Sequence, residues 1–239
     1  MPPVPVLLVL MLAAWARATD YCAVCSDHTM CQFPTEGPAD SCPKLLEQGV
    51  TAEEKEKILA AHNALRMLMS QLSVIELPAA QAMPNLTWSE ELATVAQRWA
   101  YQCNFKHDAC RDLPNMKVGQ NLATQLDFFG EPHDWLKEAV SRWMAPAPGD
   151  LNEMQVYGYL GEILGNLTFT KHTENIGANL TQIIWAKTTT IGCGYAAFED
   201  IVFENAMDTS LTFRFVRRYY VCNYGPAGNV IGEQIYLPA

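Results

Sequence analysis

The sequence predicts an α/β fold built as a three-layer α-β-α sandwich. Three observations carry that prediction. Helix-period stretches at 51–69 and 87–100 come first, with a third at 134–144. Two strand-like stretches follow, Ile176–Tyr195 and Tyr219–Val230, each holding one cysteine. Cys193 lies between Gly192 and Gly194, which suits a strand cross-linked at close range to a neighbour carrying Cys222. With 49% apolar residues in 239, the chain can bury a sizeable single core.

The elements follow in order. Residues 1–18 read as a signal peptide: Val4–Trp15 is apolar but too short to span a bilayer, and Ala16-Arg17-Ala18 suits cleavage. No later stretch is long and charge-free enough to cross a membrane, so a secreted, extracellular protein is expected. Residues 19–50 form a cysteine-rich, irregular N-terminal segment, and 51–239 form the domain. Thr51 and Glu54 make a capping box, and Ile58, Ala61 and Leu65 mark the buried face of the helix they open, with His62 on or beside it. Met83–Trp88 reads as a loop before a second helix with Leu92, Val95, Ala96 and Trp99 inward. Met116–Gln125 reads as a short strand, and Asp134–Met144 as a helix stopped by Pro146 and Pro148. Residues 147–175 read as an irregular excursion and 199–210 as an acidic connection. Leu211–Cys222 alternates like a strand exposed on one side, and Ile231–Leu237 reads as an edge strand or tail.

The eight cysteines, in an oxidising compartment, read as four disulfides of open connectivity. The rival reading, a zinc knot of Cys22, Cys25, His28 and Cys31, leaves too little chain to wrap the ion. With 26 acidic residues against 16 basic ones, the surface repels nucleic acid and anionic lipid. Three sequons occur, at Asn85, Asn166 and Asn179; the first two fall in loops and are the expected glycosylation sites.

Four segments together resemble one known family. They are His62-Asn-Ala-Leu-Arg66, Gly119-Gln-Asn-Leu122, Thr181-Gln-Ile-Ile-Trp185 with Gly192-Cys-Gly194, and Tyr220–Asn229. In this order they are similar to the cysteine-rich secretory, antigen 5 and pathogenesis-related proteins, the CAP superfamily. The eight cysteines and the Gly-Gln-Asn variant most resemble its insect antigen 5 branch of venom and salivary allergens. The resemblance implies the α-β-α sandwich and the pairings Cys22–Cys31, Cys25–Cys110, Cys42–Cys103 and Cys193–Cys222. It also implies a central cleft where many members hold a divalent metal with two histidines and two carboxylates. Carried over by position, that set becomes His62, Gln120, Pro146 and Asn179, with Glu138 as a rival for the Pro146 position. One imidazole and two amides offer no charge to offset a metal ion, so neither metal nor cofactor is expected.

Three functional expectations follow. The first is a non-catalytic secreted protein that binds a lipid or other small amphipathic ligand, or an extracellular protein. The second is a hydrolase using His62 with water or with Ser70, Ser73 or Ser89. The third is a defence or interaction protein acting through the loops at 147–175 and 199–210. The tryptophans Trp88, Trp99, Trp143 and Trp185 are expected in the core rather than in a ligand cage.

Overall fold

A computed structural model describes residues 19–40, 42, 44–71, 77–144, 153–165, 167–205 and 208–239, with backbone alone for 153–157 and 201–213. The expected signal peptide, Pro146, Ser73 and the sequon asparagine Asn166 lie outside the described residues. Two single turns, α1 (Tyr21–Val24) and α2 (Thr29–Gln32), open the chain. Strand β1 (Leu45–Gln48) leads to helix α3 (Ala52–Met69), then β2 (Thr87–Trp88) and helix α4 (Glu90–Ala100). Strand β3 (Gly119–Phe128) precedes a π-helical turn, Leu136–Val140, that runs into α5 (Ser141–Met144). Helices α6 (Glu153–Leu164) and α7 (Lys171–Ile183) then lead to the long strands β4 (Thr190–Asn205) and β5 (Asp208–Gly225).

The sheet runs β1-β4-β5-β3, antiparallel throughout, and β2 adds a short parallel pairing on the outer edge of β4. Side chains alternate across it. Ile191, Cys193, Tyr195, Tyr220, Cys222 and Tyr224 face one way, into the main core with Ile58 of α3, Trp143 of α5 and Ile183 of α7. Ala196 and Val221 face the other way, onto Ala96, Trp99 and Ala100 of α4. The three layers are therefore α3, α5 and α7; the sheet; and α4. Disulfides join Cys22 to Cys31, Cys25 to Cys110, Cys42 to Cys103 and Cys193 to Cys222. The second and third tie the N-terminal segment to the stretch after α4, and the last crosses between β4 and β5.

The glycines beside Cys193 serve a different neighbour from the one their spacing suggested. A Cβ on Gly192 would lie 2.2 Å from the Ala93 amide nitrogen, and one on Gly194 would lie 2.3 Å from that of Gln97. What approaches is the backbone of α4, not a second strand. This is why a helix can sit flat on the sheet there.

Other boundaries also differ from the sequence-based expectation. The run after Ile176 begins as helix: Thr170 and Thr173 form a capping box, and burial of Leu180 and Ile183 outweighs the β-branched composition. Gly177 is a kink inside that helix. The supposed irregular stretch 147–175 contains α6 and the start of α7; Gly158 and Gly161, which suggested turns, sit within α6. The acidic 199–210 segment is mostly strand, because β4 and β5 keep pairing out to Asn205 and Asp208. β5 is central, so its residues 218–224 are buried on both faces rather than exposed on one. Residues 19–50 also contribute sheet, as edge strand β1. Among the described residues the Ile231–Leu237 tail forms no strand; it makes an isolated bridge, Gln234 to Thr168, and backbone hydrogen bonds to Leu167, Phe169, Ala186 and Gln81.

Candidate functional site

The His62-Asn-Ala-Leu-Arg66 segment lies on α3, with His62 and Arg66 one turn apart on its buried face. His62 is fully buried. Its Nδ1 lies 2.8 Å from the Ile58 carbonyl, which can only accept, so Nδ1 carries the proton. Its Nε2 then accepts from the Tyr224 hydroxyl at 3.0 Å. Asn121 donates to that hydroxyl oxygen at 3.3 Å and to the Asn179 carbonyl at 3.0 Å. One neutral tautomer satisfies the whole chain of bonds. Burial pushes His62 down to about 4, and the nearby Arg66 charge acts the same way against the opposing effect of the Ile58 carbonyl. Burial also pushes the Tyr224 phenol well above its ordinary range.

Arg66 is equally buried and has four carbonyl acceptors. Its Nε donates to Pro84 at 2.8 Å, Nη1 to Ile183 and Trp185 at 2.8 and 2.9 Å, and Nη2 to Thr188 at 3.0 Å. Burial lowers it to about 10. Among the described residues no carboxylate pairs with it; the partners are the backbone of the α7–β4 connection and of the loop before β2. Asn63 completes the set by exchanging both amide bonds with the backbone of Leu86, at 3.1 and 2.7 Å. Each polar residue of this motif is a tie between segments.

The C-terminal motifs form a second tie. Thr181 donates to Asn229 Oδ1 at 2.7 Å, and Asn229 Nδ2 donates to the Ala178 carbonyl at 2.7 Å. The Gly228 amide donates to Gln182 Oε1 at 3.0 Å, and Gln182 Nε2 donates to Thr188 at 3.2 Å. Gly228 must be glycine here, since a Cβ would come within 2.7 Å of the Trp185 ring.

Of the family-position set, Pro146 lies outside the described residues, and Gln120 does not face His62. Gln120 faces the α4 side of the sheet, donates to Asn223 at 3.1 Å and takes a 2.8 Å contact from His107 Nδ1. His62 is on the other side. Asn179 is half-buried on α7 and contributes its carbonyl. Glu138, in the π-helical turn, is buried and accepts from the Tyr220 hydroxyl at 2.5 Å and the Asp134 amide at 3.0 Å. Sequence reasoning passed over His107. Its position between Cys103 and Cys110 was the available signal, because a loop tied at both ends holds its side chains near β3. The two candidate serines among the described residues are also committed. Ser70 donates to the Met67 carbonyl at 2.6 Å, and Ser89 caps α4 at the Leu92 amide.

The cysteines are not available as ligands. Among the described residues, only Cys25, Asp27 and Cys110 group as metal ligands might, and both sulfurs belong to one disulfide. His28 of the supposed zinc knot accepts from the Met30 amide at 2.9 Å and lies 3.0 Å from the Asp112 carbonyl. Of the predicted glycosylation sites, Asn85 is exposed in the loop before β2. A cavity of about 410 Å³ opens between the 81–84 loop, Ala186 and the C-terminal tail, with Ile235, Tyr236 and Leu237 along its wall. The Lys187–Glu233 ion pair, at 2.6 Å, stands at the same place.

A family model for CAP, the cysteine-rich secretory protein family, matches residues 59–224. Venom allergen 3 of Solenopsis invicta is 36% identical over 240 residues, covering 92% of this chain and 89% of its own. Venom allergen 5 of Polybia paulista is 36% identical, covering 90% of this chain and 98% of its own. The solved structure of BmVAL-1 superposes with a TM-score of 0.52 at 26% identity, over 80% of this chain and 84% of that one. The chain belongs to the cysteine-rich secretory protein (CAP) family, on its antigen 5 or venom allergen branch.

Proposed function

We propose that this is a secreted, non-catalytic venom-allergen-type protein that binds a small amphipathic ligand or an extracellular protein. The observation that supports it best is the state of His62. General acid–base work needs a titratable group within reach of substrate. His62 has both nitrogens bonded internally and no exposed surface. The same bonds weigh against a metal reading, since an imidazole ligand needs a free nitrogen. The apolar groove beside the C-terminal tail is the feature that suits an amphipathic ligand. Native mass spectrometry of the protein from its own fluid tests the reading; a co-purifying lipid or protein is the expected result. Hydrolase activity lost in His62→Gln, with the fold intact, would count against it.

A further inference from the structure

The solvent face of α3 changes character along its length. Glu53, Glu56 and Lys57 are exposed and charged near its start. Its later turns instead expose Ala60, Ala64, Met67 and Leu68, with Met67 58% and Leu68 47% open. Ala60, Ala64 and Met67 share one side of the helix, at spacings of four and three. They line a groove of about 390 Å³ together with Gln81, Met83 and Asn85.

Two clamps hold Asn85 beside that helix. The Pro84 carbonyl before it accepts from Arg66 Nε at 2.8 Å. After it, Leu86 exchanges both backbone bonds with the Asn63 side chain, at 3.1 and 2.7 Å. Arg66 and Asn63 are both on α3, so residue 85 is fixed to the helix from either side. Thr87 then enters β2, its amide donating to the Thr189 carbonyl at 3.0 Å. The Asn85 side chain is exposed and has no hydrogen-bond partner among the described residues. Asn85-Leu86-Thr87 is also a sequon.

We propose that Asn85 carries an N-linked glycan whose first N-acetylglucosamine lies in this groove, over Ala60, Ala64 and Met67. The proposal rests on the secreted reading above, because sequon transfer belongs to the secretory route. In that transfer Asn85 Nδ2 bonds to the anomeric carbon of the sugar. The bond from that carbon to a lipid-linked pyrophosphate breaks, the pyrophosphate leaves with the electron pair, and the amide gives up one proton. A sugar rooted here has little freedom left to lose, since its attachment point is already held on both sides. Its apolar ring face and acetyl methyl meet alanine and thioether surface, while its hydroxyls stay in water. Asn179 offers no such seat: it is half-buried within α7, and its sequon partner Thr181 is buried and donates to Asn229.

The full precursor, expressed in cultured insect cells, tests this in two readings. Glycopeptide mass spectrometry should find Asn85 occupied in the secreted protein. Dilute hydrogen peroxide should oxidise Met67 about fivefold more slowly in the wild type than in Asn85→Gln. Met30, half-buried against the α4 side of the sheet, should oxidise equally in both. Enzymatic removal of the glycan from the folded wild type should give the same acceleration at Met67 without any substitution. An unmodified Asn85 in secreted, disulfide-bonded protein overturns the proposal and leaves the secreted reading standing. A chain retained in the cell with residues 1–18 still attached overturns both. An occupied Asn85 with Met67 oxidising equally fast in all three forms overturns the seat on α3.

Discussion

Two histidines on the same side of the sheet are held in opposite ways. At one end His62 is buried among neutral partners, a carbonyl and a phenol, and keeps a single proton. At the other end His133 lies between two carboxylates. Its Nδ1 is 3.2 Å from Glu47 of β1, and its Nε2 contacts Glu54, the capping-box residue of α3. Its ring meets Tyr195 edge-on at 4.3 Å, and the Tyr195 hydroxyl donates to the same Glu47 oxygen at 2.9 Å. The motif histidine is therefore a neutral structural member, and the histidine that no motif marks is the one with charged company. Occurrence in a recurring motif and availability for chemistry are separate properties in this fold.

The sharpest way to break the comparison is at the neutral end. Arg66→Met removes five donors from four buried carbonyls and should cost about 4 kcal/mol, read by chemical denaturation. Arg66→Lys should recover little, because an ammonium cannot span carbonyls on two separate segments. A small loss in Arg66→Met would show that the motif is not the tie between α3, the 84 loop and the α7–β4 connection.

His62 comes next, through pH. Its folded value is depressed to about 4, so below the ordinary histidine value of about 6.5 the unfolded chain binds a proton that the folded chain does not. Stability should fall as pH drops from about 6.5 to about 4, by roughly 3 kcal/mol from this residue, and its contribution should level off below that. Comparing unfolding free energies of wild type and His62→Gln across this window isolates the effect. Equal slopes in the two proteins would mean that His62 is not held neutral.

The contrast also explains what the sequence could and could not reveal. The Thr51–Glu54 capping box, the α4 face of Leu92, Val95 and Ala96, and the strand status of Cys193 and Cys222 are local or period-bound features, and all were legible. Helix α6 was not, because Gly158 and Gly161 look like turn residues until tertiary packing supplies a partner surface. The strand pair at 199–213 was not either, since its acids argue for a loop and only cross-strand pairing keeps it extended. The site was hardest. Whether a histidine is exposed, neutral or flanked by acids depends on residues 162 positions away, as with Tyr224, or 86 away, as with Glu47.

The smallest expected effect lies at the charged end, and its dependence on conditions matters more than its size. His133→Gln should cost about 1 kcal/mol, the scale of a partly exposed ion pair. Burial alone would raise the Glu54 carboxyl, but the Thr51 amide and His133 outweigh it and hold it below the usual carboxylate value. Glu54 therefore contributes stability above that value and loses it as pH falls through the depressed one. The His133→Gln deficit should shrink in the same direction, as Glu54 takes up its proton. It should also shrink in high salt, because the Glu54 carboxylate that His133 contacts lies near solvent and its charge is screened. The Arg66 and His62 effects should not respond to salt, since their partners are buried and uncharged. Unfolding curves of the three variants at low and high salt thus separate the two ends. A salt-insensitive His133→Gln deficit would mean that this end, too, is held by packing rather than by charge.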